Sequence, residues 1–485
     1  MVTWNRRELL GSFGIGTAST LLWTFGCGAP PPPAAPASPL EAAPQVRAWL
    51  RDAVARLAAV YPSVHALAVA RRRTTAAVDV LGAGVGHARR DGVVLTVRDA
   101  AGVWREQVTS ELTQAGILAA VRTLGGAGKR APVEFGPVPP MPRAPRAMDA
   151  QELRNRAEAL DRNDKAMNSR VVYAAALIDV EDAHVWSMRA GTKAAPGHDR
   201  EQRLVRMRKV VTRAAWNGTR PVLSEAERAW IGEIDDVQLD GATVMQTTRT
   251  ALELMTPGAF DDRIRPVVLD PSVAASLVDA GTRALLTTAT MRRPEVARRA
   301  ALGATVGSAQ LTLADDPTAK GAYGGFQFDD AGAPAARLAL IEGGRAVALL
   351  DRARRPGHVG PVEPSPSHLV VAPGTAPAET LAEDGLVLEH GTGTVVDPST
   401  GRVVVGAARA RELRKGRPTG RVFADVELVG DLRALMSSVT GASVEVRATA
   451  YRDEDAGEPR WRSVQAPFLR AEGFVRARRA AARKP

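Results

Sequence analysis

The chain has 485 residues, 45% of them hydrophobic, with 64 Lys and Arg against 53 Asp and Glu and a formal net charge of +11. That length can bury large cores in two or more domains, and the composition is that of a globular protein. The basic surplus is scattered: the runs Arg71 to Arg73, Arg352 to Arg355 and Arg476 to Lys484 are short and lack interleaved aromatic residues. They read as solvated loops or a tail, which argues against a nucleic-acid partner.

The first 27 residues read as an address. Arg6 and Arg7, in Arg6-Arg7-Glu8-Leu9-Leu10, resemble a twin-arginine export signal. The run that follows, up to Phe25, is weakly hydrophobic and interrupted by glycine, which makes it a poor permanent membrane span. Phe25-Gly26-Cys27 resembles a lipobox, with Thr24 departing from the usual aliphatic residue, so Cys27 is the expected lipidation site. Residues 28–44, rich in Pro and Ala, suit an extended tether behind a lipid anchor. Cys27 is the only cysteine, so the exported part carries no internal disulfide, in keeping with export of an already folded protein. The expectation is a membrane-anchored lipoprotein facing the periplasm or exterior.

Residues 45–130 read as a small α/β layer domain. Val46, Trp49, Leu50, Ala53, Val54 and Leu57 recur at helical spacing behind Pro44. Strands are expected at 64–70, 75–81, 93–97 and 103–108, the last two joined by a turn at Asp99 to Gly102, before a helix at about 110–124. Gly125 to Arg130 fails as a phosphate loop, because the first glycine is misplaced and Arg130 stands where Ser or Thr is needed. Residues 131–150 read as a linker.

Residues 151–265 complete this half. A charged helix is expected over 150–166, a hairpin from Val171 to Val180 and His184 to Met188, and a long strand from Arg203 to Ala215 ended by Asn217-Gly218. Ser224 to Glu227 has capping-box spacing and predicts a short helix, with a longer one at about 241–255. From 266 to 485 the pattern, one helix apart, is short strands with Gly, Pro and Asp turns. The fold expected is α+β, the C-terminal part a larger, mostly antiparallel, curved and barrel-like sheet.

That one helix follows the strand Pro266 to Leu269. Asp270 suits its N-cap and Pro271 its first position, giving a small, apolar helix over 272–286. Downstream come the Asp-rich and Gly-rich segment 311–330 (LTLADDPTAKGAYGGFQFDD) and the hairpin Ile341 to Asp351 (IEGGRAVALLD). Val370 to Gly374 (VVAPG) and the hairpin Val395 to Val405 (VVDPSTGRVVV) follow. In this order they resemble the TldD/PmbA metallopeptidase-like family, of the "modulator of DNA gyrase" type.

The resemblance implies a zinc helix with the motif H-E-x-x-x-H in active members, and here the matching positions are Val278, Asp279 and Arg283. Zinc needs neutral imidazoles, and the catalytic water needs a carboxylate base. Valine has no lone pair, and arginine is a permanent cation. A C-terminal cysteine ligand, which the family implies, is also missing. The family's D-D-E-G segment reads Asp329, Asp330, Ala331, Gly332, and its R-M-x-N is replaced by Ser365, Pro366, Ser367, His368.

The reading is therefore of a pseudo-peptidase without zinc or catalytic residues of its own. It would bind extended peptides by strand addition, or pair with a TldD-like catalytic subunit or a second copy of itself. An active metallopeptidase with a rearranged site, for which His358 and His368 could be considered, is one alternative. A lipid-anchored basic module that binds anionic envelope polymers is the other.

Overall fold

Val46, Leu50, Ala53, Val54 and Leu57, all without exposed surface, form the buried stripe of helix α1 (Ala43–Ala58). They pack on strands β1 (Ser63–Asp79) and β2 (Gly82–Arg98). The structure is a computed structural model. It describes residues 43–80, 82–126, 128–136, 149–162, 170–191, 197–218, 221–293, 296, 301–351, 364–455 and 458–478. Arg6, Arg7, Cys27 and His358 lie outside that set.

Strands β3 (Trp104–Thr109), β4 (Val171–Arg189), β5 (His198–Trp216) and β6 (Pro221–Ile231) complete a six-stranded antiparallel sheet in the order β3-β2-β1-β4-β5-β6. Helices α2 (Gln114–Thr123), capped by Thr113, and α3 (Ala150–Arg162) join α1 on one face, over Val64, Ala66, Ala76, Val78, Ile178 and Met207. Strand alternation sends Leu67, Val69 and Val185 to the other face, where they meet Phe328.

Four expectations about this half need correction, the first being that Val171 to Val180 and His184 to Met188, expected as a hairpin, are one continuous strand, β4. The strands expected at 64–70 and 75–81 are one strand, and the arginine run Arg71 to Arg73 lies inside it, not in a solvated loop. Arg71 is 6% exposed and faces Glu181, and Arg73 Nε donates to Asp179 at 2.6 Å, so sheet-borne carboxylates replace the water these cations would otherwise need. Ser224 to Glu227 is not a helix but part of β6, paired with β5 from Trp216 opposite Pro221 to Arg206 opposite Ile231. A local capping signal loses to a continuous ladder that also gives Glu227 an arginine, Arg208, at 2.6 Å.

After helix α4 (Gly241–Glu253), capped by Asp240, come β7 (Arg263–Leu269), α5 (Pro271–Leu285) and the short α6 (Thr288–Met291). The strands that follow are β8 (Leu313–Asp315), β9 (Leu338–Glu342), β10 (Arg345–Ala346), β11 (His368–Val371), β12 (Gly385–Val396), β13 (Arg402–Arg414) and β14 (Arg417–Asp431). Helix α7 (Leu432–Ser437) precedes the last two, β15 (Gly441–Asp455) and β16 (Glu458–Ala477).

Five of these strands close a ring. β7 pairs with β12, β12 with β13, β13 with β14, β14 with β16, and β16 returns to β7. The pairings are antiparallel except β7 with β12 and, outside the ring, β11 with β16. The barrel-like, mostly antiparallel expectation describes this half well. Its strands are longer than expected, because Gly and polar residues sit at irregularities within them: His390 has φ 57° and Gly393 φ 111°, and the β12–β13 register shifts between Gly391 and Gly393. The main core unites ring residues such as Leu269, Val405 and Leu428 with Val273, Leu277 and Val278 of α5.

Candidate functional site

Helix α5 starts where its sequence says it should. Asp270 Oδ1 accepts from the backbone N–H groups of Ser272 (2.9 Å) and Val273 (2.8 Å), while Oδ2 accepts from His390 N at 3.0 Å, tying the helix start to β12. Gly391 belongs there for a steric reason: a Cβ would stand 2.8 Å from the Ser272 carbonyl oxygen. Val278 is packed in the core, 2% exposed.

Asp279 is also buried, and its carboxylate is fully engaged. Arg462 Nη1, from β16, donates to both its oxygens at 2.8 Å. Arg283 Nε donates to Oδ2 at 3.1 Å, with Nη2 at 3.0 Å. The two partners differ in setting: the Arg462 side chain is 5% exposed and that of Arg283 44%. Tyr451 of β15 stands directly across from Arg462, whose guanidinium lies 5.6 Å from its ring centre. Burial, reinforced by the Asp279 charge, drives the Tyr451 hydroxyl pKa strongly upward, so it stays protonated.

The opposite face of the β15–β16 hairpin meets the six-stranded sheet. There Trp461, paired across from Arg452, lies against the guanidinium groups of Arg71 (4.4 Å) and Arg206 (4.6 Å). Glu181 stands 3.5 Å from Arg71 Nε and 3.6 Å from Arg206 Nη1. Burial pushes Glu181 upward against the pull of these arginines. Arg206 Nε and Nη2 donate to the carbonyls of Tyr323 (3.0 Å) and Gly325 (3.3 Å), which fixes the glycine-rich segment. The hairpin is thus a partition, with Asp279 on one side and a charged sheet face on the other.

Residues 262–477 match the family profile of the PmbA/TldA metallopeptidase C-terminal domain. The C-terminal part of the chain, residues 262–477, is therefore a domain of the PmbA/TldD type. It is 27% identical over 190 residues to a metalloprotease of Methanocaldococcus jannaschii, an alignment covering 36% of this chain and 42% of that one. The chain therefore spans less than half the length of this relative. Its fold superposes on TldE from Thermococcus kodakarensis with a TM-score of 0.66 and 14% identity, over 88% of this chain and 99% of that one. For a candidate modulator of DNA gyrase from Thermotoga maritima the values are 0.70 and 14%, over 89% and 100%. At such identities the superpositions establish the fold alone.

Set against the zinc site of a TldD/PmbA metallopeptidase, the residues present do not fit the metal. Val278 offers no lone pair, Arg283 brings a positive charge, and Asp279 already spends both oxygens on guanidinium groups. Among the described residues no group of three or more His, Cys, Asp or Glu is placed to hold a metal ion. His368 is committed to structure: its Nδ1 lies 2.7 Å from Ser463 Oγ, and its backbone N–H donates to Asp315 Oδ1 at 2.9 Å. Burial lowers its pKa to about 4.

The segment Asp329 to Gly332 is a tight turn. Asp329 Oδ1 accepts from Ala331 N (3.1 Å) and Ala333 N (2.9 Å). Gly332 abuts Ser187, whose hydroxyl bridges His65 Nε2 (2.9 Å) and His198 Nε2 (3.0 Å). Burial is the main cause lowering these histidines, to about 3 and about 4. Sequence reasoning placed Val278, Asp279 and Arg283 on one helix but missed Arg462, Tyr451, Trp461, Arg71, Glu181 and Arg206. A usable signal was present: charges two apart at 71 and 73, 179 and 181, and 206 and 208 mark one face of adjacent strands.

Proposed function

We propose that this chain is a non-catalytic TldD/PmbA-type subunit that pairs with an active metallopeptidase subunit and holds extended peptide segments at the cell envelope. The observation that carries this is the Asp279 clamp. A carboxylate at the position of the family's general base cannot take a proton from a metal-bound water while Arg462 and Arg283 occupy its oxygens. Strand addition needs only a sheet edge and so survives loss of the metal. Export rests on Arg6 and Arg7, and membrane attachment on Cys27.

The alternative of a basic module for anionic polymers is disfavoured by where the arginines stand. Arg71, Arg206, Arg213, Arg409 and Arg462 are buried, and much of the positive surplus is spent inside the fold. An active enzyme with a rearranged site would need ligands that the residues around Asp279 do not supply.

The test is metal analysis and peptide cleavage by the purified protein, alone and co-expressed with an H-E-x-x-x-H relative. Zinc and cleavage are expected only with the partner. Stoichiometric zinc in the isolated chain would overturn the reading. For the address, changing Arg6 and Arg7 to Lys should leave the protein in the cytoplasmic fraction.

A further inference from the structure

Replacing a zinc ion by arginines changes what the site repels and what it attracts. Asp279 contributes one negative charge against two positive ones from Arg462 and Arg283, while Glu227, which also acts on Tyr451, is balanced by Arg208. Arg283 spends Nε and Nη2 on Asp279, whereas its Nη1 has no hydrogen bond among the described residues, and its side chain is 44% exposed. The Tyr451 hydroxyl, on a ring whose centre lies 5.6 Å from the Arg462 guanidinium, is buried and protonated, with no hydrogen-bond partner among the described residues. Orphaned buried hydroxyls are costly, and this one leaves both its donor and its acceptor capacity unused.

We propose that Arg283, Tyr451 and Arg462 form a carboxylate-binding subsite at the place where the family's zinc helix would hold its metal. The ligand is the carboxylate of a peptide, either its free C-terminus or an acidic side chain. Arg283 supplies its outward N–H groups, Tyr451 its hydroxyl, and Arg462 the buried charge that holds Asp279 in place. The guanidinium fork matches the two oxygens of a carboxylate, and both contacts are charge-assisted. This rests on the peptide-binding part of the proposed function, naming the group that is recognised.

The test measures binding of three fluorescently labelled six-residue peptides to the full protein by anisotropy, with zinc determined on the same samples. One peptide is neutral with a free C-terminus, one is its C-terminal amide, and one is the amide with an internal Glu. Binding of the free acid at least about tenfold tighter than the amide assigns the site to a C-terminus, and rescue by the internal Glu assigns it to an acidic side chain. Arg283→Ala should remove most of that preference, Arg283→Lys should keep part of it, and Tyr451→Phe should weaken it about threefold with an unchanged circular dichroism spectrum. Equal binding of all three peptides to zinc-free protein would overturn the subsite and leave the pseudo-subunit reading standing. Absence of any binding would overturn it too, while zinc in the isolated chain would instead strike the proposed function itself.

Discussion

Asp279→Asn is the sharpest test of the clamp. The substitution keeps side-chain size but removes the charge, and its amide turns N–H donors toward Arg462 and Arg283, which are themselves only donors. Arg462, with a side chain 5% exposed, cannot regain water without breaking its strand. Removing one partner of a buried pair costs about 3–5 kcal/mol, because an uncompensated charge stays behind. The Arg283 contact is different: at 44% side-chain exposure its loss in Arg283→Ala should cost only about 0.2–1 kcal/mol. A third variant, Asp279→Leu with Arg462→Met, removes both buried charges and should recover most of the loss. Urea unfolding, followed at the transition of the ring-shaped half, gives all three values. A buried clamp is refuted if Asp279→Asn stays within about 0.5 kcal/mol of the parent, or if Arg283→Ala costs as much as Asp279→Asn.

Trp461→Ala should cost about 3–5 kcal/mol and, by unseating the hairpin from Arg71 and Arg206, split calorimetric unfolding into separate transitions for sheet and ring. His368 is neutral when folded, with a pKa of about 4 against an ordinary value near 6.5, so the unfolded chain takes up the proton first. Its contribution to stability is intact above about pH 6.5 and falls as the pH drops, until it is lost below about 4. His368→Asn, which can still bond Ser463, should flatten the acid limb of a stability-versus-pH curve by on the order of 3 kcal/mol. Gly332→Ala should lower the melting temperature well beyond Gly321→Ala. Both glycines have positive φ (73° and 74°), but only at 332 would a Cβ meet a neighbour, His198 Nε2 at 2.1 Å, whereas at 321 the space is open.

The α5 start was legible because it depends on chemistry within a few residues: Asp270 caps, Pro271 follows, and 278, 279 and 283 then share one helix. The hairpins around Gly343 and Asp397 were legible for the same reason. Strand continuity was not, since Arg71 to Arg73 breaks the apolar pattern, and its carboxylate partners lie more than a hundred residues away at Asp179 and Glu181. The capping-box spacing at Ser224 was real but outweighed by pairing with β5. The clamp itself was invisible, because Arg462 reaches Asp279 across 183 positions and nothing local to either residue announces it.

Strand β16 touches β7, β11, β14 and β15, and its last turns of sheet place Arg263 beside Val475. The ring therefore cannot close on a growing chain until β16 has left the ribosome, whereas the six-stranded sheet, complete by Ile231, can assemble much earlier. Such distant pairing makes closure the slow step, with the edge of β7 that pairs with β16 left open in the meantime. Whether this half is finished thus turns on the arrival of that single strand.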